Sequence, residues 1–299
     1  MTPLYGAVEA GGTKFVCLVG SGPDDIRAEA RFPTTTPAET LGRTFAFFRE
    51  QRARHGALAA VGFGSFGPVD LDPGSPSYGR ITSTPKPGWA DTDIVGAARA
   101  ALDVPIGFDT DVNAAAMGEW RWGAALGLDT IVYLTVGTGI GGGGLIGGRP
   151  MHGLVHPEMG HTWVPHDRAA DPFAGCCPFH GDCLEGLASG PAMRARWAMA
   201  AEDLPAGHPA WRLEAHYLAY AVANFVCTLS PQRVILGGGV MTSPHVLALV
   251  REAVVSLLNG YVQVPAILDR IDDYIVAPGL GARSGVLGGL VLAEQCARA

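Results

Sequence analysis

The stretch CCPFHGDCLEG, residues 176–186, gathers Cys176, Cys177, His180 and Cys183 in a 299-residue chain that has six cysteines. Cys177, His180 and Cys183 stand in a C-x2-H-x2-C pattern. Thiolate and imidazole are the donors zinc prefers, and a closed tetrahedral site requires one more of them from elsewhere in the chain. A site closed by four protein ligands has no open position for water, so such a metal is structural. A redox pair is the competing chemistry, but the stretch contains no C-x-x-C. Cys176 reads as a neighbour outside the ligand set. Cys17, Cys227 and Cys296 each sit singly in apolar segments and read as small core residues.

A second constellation lies in FDTDVNAAAMGEW, residues 108–120, where Asp109 and Asp111 stand at the handover from an apolar strand to an Ala-rich helix. A carboxylate exposed at a strand end can accept a proton from a weak nucleophile such as a hydroxyl. Asp111 is the candidate base, Asp109 its local rival, and a helix-capping role the plain structural alternative. Glycine clusters at 10–13, 137–144 and 237–239 form the third feature. Turns of this kind leave backbone N–H groups free to face a phosphate, with no Cβ in the way. GTGIGG satisfies a loose G-x-G-x-x-G, but it joins two strands where a dinucleotide site opens a helix, and no Walker-type G-x-x-x-x-G-K-[ST] occurs.

The elements that must carry these residues follow from the hydrophobic pattern. LYGAVE (4–9) and KFVCLV (14–19) read as a hairpin closed by a glycine turn. A helix follows around 38–55, and LAAVGFGSFGPVD (58–70) is a buried strand running into a Gly/Pro loop. Residues 72–89 are too rich in Pro, Gly and Ser for a regular element. Thr92 is the expected N-cap of a helix ending at Leu102; residues 104–109 form a strand and 111–126 a helix. TIVYLTVG (130–137) and the glycine-rich run after it repeat the first hairpin. A helix over 213–229, a strand over 233–241, a helix opening at Ser243–Pro244 and a C-terminal helix complete the chain. Two like hairpins, each leading into strand and helix, predict a duplicated α/β architecture.

Gly, at 42 of 299 residues, is about twice its usual ~7%. A net charge of −7 without a spread basic patch argues against nucleic-acid binding. The first residues lack a basic region followed by an apolar one, and no run of eighteen apolar residues occurs, so the expectation is a cytoplasmic protein with no membrane segment.

In order along the chain, EAGGTK (9–14), STPKPGW (83–89), DVNAAAMGE (111–119), TVGTGIGGG (135–143), HPEMGH (156–161), CPFHGDCLEG (177–186) and ILGGGV (235–240) make it resemble the ROK family (repressors, open reading frames, kinases), and within it the bacterial zinc-containing fructokinases. The resemblance implies an actin/hexokinase-like (ribonuclease H-like) α/β fold with two lobes around a cleft: a small lobe of residues 1–112 plus the terminal helix 286–299, and a large lobe of 113–285. It implies ATP-dependent transfer of a phosphoryl group to the 6-hydroxyl of a hexose, fructose first and mannose or glucose next, with Mg²⁺ as cofactor and a homodimer as the assembly. Asp111 then becomes the base. Glu9, Gly11, Gly12, Thr13 and Lys14 would form one phosphate grip and Gly137, Thr138, Gly139 and Gly141 the other, with Gly237, Gly238 and Gly239 on the adenosine side. Pro85, Lys86, Gly88, Trp89, Thr110, Glu158 and Glu185 are the implied sugar contacts, Glu158 a better candidate than Glu185. The family usually has Asn at the position of Thr110, and most members have Asp at the position of Glu9. His161 is the implied fourth zinc ligand. A sugar-sensing repressor of the same family carries an N-terminal helix-turn-helix, for which the early phosphate hairpin leaves no room.

Overall fold

The computed structural model describes residues 3–298. The chain divides into two compact units. One runs through Leu126 and takes in Pro150–Pro157 and the chain from Ala282 onward; the other comprises Gly127–Arg149 and Glu158–Gly281.

The first unit is built on strands β1 (Leu4–Ala10), β2 (Lys14–Gly22) and β3 (Asp25–Pro33), helix α1 (Pro37–His55), strand β4 (Leu58–Ser65), helix α2 (Ile94–Leu102), strand β5 (Ile106–Thr110) and helix α3 (Asp111–Trp122). Its sheet order is β3-β2-β1-β4-β5. The meander β1–β2–β3 is antiparallel, and β4 and β5 add in parallel beside β1. Strand β3, DIRAEARFP, is absent from the sequence reading because its residues are largely half-exposed and charged at one edge of the sheet. Helix α1 starts where Pro37 follows Thr36, whose hydroxyl accepts the Glu39 amide, and it stops at Gly56 with φ of 96°. Helix α2 is capped by Asp93, which accepts the Gly96 amide, rather than by the expected Thr92, whose carbonyl instead pairs with the Ile81 amide.

The second unit repeats the plan with β6 (Ile131–Val136), β7 (Ile140–Ile146), β8 (Arg149–Pro150), α4 (Leu184–Ala188), α5 (Gly190–Trp197), α6 (Ala210–Leu229), β9 (Arg233–Gly237), α7 (Pro244–Leu258), α8 (Pro265–Leu268), α9 (Ile271–Tyr274) and β10 (Ile275–Val276). Its sheet order, β10-β9-β6-β7-β8, mirrors the first: an antiparallel hairpin whose first strand is flanked by parallel strands. This is the duplicated α/β fold that the paired glycine hairpins predict.

The terminal helix α10 (Ser284–Arg298) belongs to the first unit. It packs on β1, β4 and α3 so closely that a Cβ on Gly288 would fall within the Ala114 carbonyl. Because α3 packs on α10, it stays with the first unit, and the division comes after Leu126, beyond the expected boundary at 112. Phe15, Phe48, Phe63, Ile81 and Trp89 are fully enclosed in the first unit's core. Cys17 lies in this core, as expected. Cys227 does not share that environment: it is exposed on α6, and Cys296 is half-exposed near the end of α10, because each stands on the outward side of its helix. Among the described residues no helix is long and apolar enough to cross a membrane.

Candidate active site and metal centre

In the first unit, β5 ends in Asp109 and Thr110, and α3 begins with Asp111. The two aspartates differ in their partners. Asp109 is 2% exposed, and its Oδ1 accepts the Thr110 amide at 2.7 Å and the Asn113 side-chain amide at 2.9 Å, while Oδ2 lies 2.8 Å from His152 Nε2. A carboxylate so fully engaged serves the structure. The hydrogen bond to Asp109 raises the His152 pKa in return. The Thr110 hydroxyl is the N-cap of α3, accepting the Asn113 amide at 3.1 Å. Asp111 therefore does not cap the helix. Its Oδ1 accepts the Val112 amide at 2.9 Å, and its own backbone amide also bonds to the carboxylate. Burial pushes its carboxyl up to about 6, against the lowering effect of the backbone amides.

Glu9, near the end of β1, lies over the first turn of α10. A Cβ on Gly285 would stand 2.8 Å from its carboxyl carbon, and the Val286 amide donates to it. Its Oε2 is buried without a partner. Burial and then the Asp111 charge raise this carboxyl to about 7, outweighing Lys14, Arg31 and the helix amide. The turn after Glu9 is closed by the Gly11 amide on the Lys14 carbonyl at 3.0 Å, and it exposes Thr13 and Lys14 to solvent. Thr34 braces this turn, its hydroxyl donating to the Gly11 carbonyl at 2.6 Å and its amide to the Thr13 carbonyl at 2.9 Å.

The 83–89 segment docks on the same brace. Lys86 Nζ donates to the Thr34 carbonyl at 3.3 Å and Trp89 Nε1 to the Thr35 carbonyl at 2.8 Å. Trp89 is completely buried between Phe15 and Phe66, so it does not reach a sugar as expected; it anchors the loop that carries exposed Pro85 and Gly88. His156, also buried, accepts the Val69 amide at 3.1 Å, and burial lowers its pKa.

In the second unit the two remaining glycine clusters meet. A Cβ on Gly238 would collide with the Val136 backbone, and one on Gly137 would lie 3.8 Å from the Gly239 nitrogen. Exposed Thr138 stands at the tip of the β6–β7 turn, and Gly141 follows in β7. The start of α5 joins this group, as the Gly190 amide donates to the Gly137 carbonyl at 2.8 Å. Ser189 to Pro191 thus lie beside the β6–β7 turn, a neighbourhood the sequence reading missed. Glu185, in the first turn of α4, accepts the Ile140 amide through Oε2 at 2.9 Å. Glu158 is exposed at the start of the 3₁₀ turn Met159–His161, its carbonyl accepting the His161 amide.

His161, Cys177, His180 and Cys183 converge, with all four donor atoms within 4.8 Å of one another. The Cys177 sulfur lies 3.7 Å from His161 Nδ1 and 3.6 Å from His180 Nδ1, and the Cys183 sulfur 3.5 Å from His161 Nδ1. With Zn–S near 2.3 Å and Zn–N near 2.0–2.1 Å, a regular tetrahedron has an S···N edge of about 3.5–3.6 Å, so the set fits zinc. Cys177 and Gly181 pair backbone to backbone to shape the loop, with Gly181 at φ of 71°. Cys183 caps α4. Asp182 turns away from the sulfurs to His166 Nδ1 at 3.0 Å and Arg168 at 2.6 Å, which tethers the loop from outside. Cys176 is exposed and outside the cluster.

The ROK family model matches residues 5–296. The chain is 44% identical over 294 residues to a fructokinase of Lactococcus lactis subsp. cremoris, covering 98% of both chains. It is 45% identical over 300 residues to a fructokinase of Streptococcus mutans, covering 99% of each. Among solved structures, a ROK family glucokinase from Streptomyces griseus in complex with glucose and AMPPNP superposes with a TM-score of 0.77 at 26% identity, covering 98% of this chain and 99% of that one.

Proposed function

The chain belongs to the ROK family, and from that premise we propose that it is an ATP-dependent fructokinase, transferring the γ-phosphoryl group of ATP to the 6-hydroxyl of fructose. The observation that carries this reading is identity of 44–45% to fructokinases along nearly the whole of both chains. The site chemistry agrees with it. A sugar hydroxyl is a weak nucleophile and needs a carboxylate to take its proton as it attacks in line. Asp111 serves as that base: its carboxylate is oriented by backbone amides alone, with no side chain neutralising it, and its pKa of about 6 lies near working pH. Asp109, held by three donors, orients the strand end beneath it.

The turn at Gly11–Lys14 and the glycine turns at 137–141 and 237–239 bind the nucleotide through backbone amides, with Lys14 offsetting phosphate charge. Glu9 is the residue that would hold Mg²⁺, since its buried, unpartnered Oε2 is a hard oxygen donor of the kind this ion takes. When bound, Mg²⁺ neutralises charge on the transferred group. His161, Cys177, His180 and Cys183 would hold zinc as a closed structural site. Glu158, Lys86, Pro85, Gly88 and the Thr110 backbone are the proposed sugar contacts. The family resemblance also supports a homodimer working in the cytoplasm.

The test is kcat/KM for ATP-dependent phosphorylation of fructose, mannose, glucose, N-acetylmannosamine and N-acetylglucosamine. A clear preference for fructose is expected. Preference for another hexose would overturn the substrate, and turnover of none would overturn the reading.

A further inference from the structure

The chain enters the first unit at Pro150 and leaves it after Pro157, and in between it lies against the end of β5 and the start of α3. Met151 is buried, and its carbonyl accepts the Asn113 side-chain amide at 3.4 Å. His156 fixes the far end of the segment by accepting the Val69 amide at 3.1 Å. His152 is placed between these two anchors. Its side chain is 45% exposed, yet its Nε2 lies 2.8 Å from Oδ2 of Asp109, whose side chain is 3% exposed. Asp109 in turn bolts the strand to the helix: Oδ1 holds the Thr110 amide and the Asn113 side chain, and the Thr110 hydroxyl accepts the Asn113 amide. The contacts close a circuit, from His152 to Asp109, from Asp109 to Asn113, and from Asn113 to the carbonyl of Met151, the neighbour of His152. Asp111 lies inside that circuit along the chain. Its carboxylate is oriented by backbone amides of the same helical turn, so whatever sets the turn also aims the carboxylate.

We infer that His152 is a positioning residue for the catalytic base: by donating from Nε2 to Oδ2 it locks the Asp109 carboxylate in the rotation that holds Thr110 and Asn113, and so aims Asp111. The inference rests on the proposed reading of Asp111 as the base for the sugar hydroxyl. A carboxylate only accepts hydrogen bonds, so the imidazole is the donor at this contact. Without it, Oδ2 becomes a buried carboxylate oxygen short of a donor, which is costly. Rotation of the carboxyl towards another donor relieves that cost and gives up the Thr110 amide or Asn113. The first turn of α3 is then free to shift, and small misplacements of a catalytic group lose rate out of proportion to their size. His152 acts through Asp109, without touching fructose or ATP, so the loss falls on kcat.

The experiment is steady-state phosphorylation of fructose by the wild type, His152→Ala, His152→Gln, Asp111→Asn and the double variant His152→Ala/Asp111→Asn, each checked for fold by circular dichroism and thermal melting. His152→Ala should lower kcat about tenfold, with KM for fructose and for ATP within about twofold of the wild type, and the Thr110 amide should exchange with deuterium faster. His152→Gln, whose side-chain amide can donate from nearly the place of Nε2, should recover most of the rate. Added to Asp111→Asn, His152→Ala should cost less than about twofold more, since it acts through the group already removed. Unchanged kcat in His152→Ala would overturn the inference. So would a raised KM for fructose with kcat intact, which would make His152 a sugar contact, or the full tenfold loss recurring in the double variant. A His152→Gln variant as slow as His152→Ala would also overturn it, and this arm stands even where the alanine variant fails to fold. Near-normal turnover by Asp111→Asn would instead overturn the reading of Asp111 as the base, on which the inference stands.

Discussion

Replacing Glu9 with Gln should change how stability depends on pH, by an amount the structure sets. Glu9 is held over the first turn of α10 with Oε2 unpartnered, and burial with the nearby Asp111 charge raises its carboxyl from 4.5 to about 7. Between those two values the folded protein keeps a proton that the unfolded chain has released. Stability therefore falls as pH rises through that window, and the loss is complete once pH exceeds about 7. A shift of this size corresponds to an upper bound of roughly 3.4 kcal/mol at 1.36 kcal/mol per pH unit. Gln does not titrate, and its side-chain oxygen can still accept the Val286 amide. In urea unfolding followed by tryptophan fluorescence without divalent cations, the stability of Glu9→Gln relative to wild type should rise from pH 4.5 to 7 by about 2–3 kcal/mol and then level off. A difference that stays flat across that range would refute the argument that burial, and not the helix amide or Lys14, decides the state of Glu9.

Asp111→Asn should fold normally and lower kcat for fructose by roughly a hundred- to ten-thousandfold, the usual worth of a positioned base; near-normal turnover in the folded variant would remove Asp111 from that role. Gly288→Ala would ordinarily favour a helix by ~1 kcal/mol, but here its Cβ meets the Ala114 carbonyl, so the first unit should lose about 3 kcal/mol in urea unfolding, and an unchanged or raised midpoint would contradict the packing described. Purified protein should contain one zinc per chain by elemental mass spectrometry. Cys177→Ser should release it, with a Tm lower by roughly 5–10 °C, as expected for losing a ligand held at about a hundred times its Kd; full zinc in that variant would disprove the ligand assignment.

The features that were legible in the sequence are those that depend on one short segment. The glycine turn after Glu9 and the one at Gly137 are written locally, because a hairpin needs its turn residues next to each other, and from two such turns the duplicated architecture followed. The C-x2-H-x2-C spacing was equally local, yet His161 came only from the family resemblance, since nothing in the spacing points sixteen residues back from Cys177. Trp89 shows the opposite limit. Its neighbours Pro85, Lys86 and Gly88 mark an irregular loop, which suggests a surface role, but whether an indole faces solvent or the core depends on Phe15 and Phe66, from β2 and the loop after β4. Asp109 and Asp111 make the same point within a single segment. Two carboxylates two residues apart are indistinguishable by type, and what separates them is His152, which reaches Asp109 from a loop more than forty residues further along the chain and leaves Asp111 to its backbone amides. A residue's chemistry could be read wherever its partners are its sequence neighbours; where the partner arrives from a distant element, the fold assigns the role.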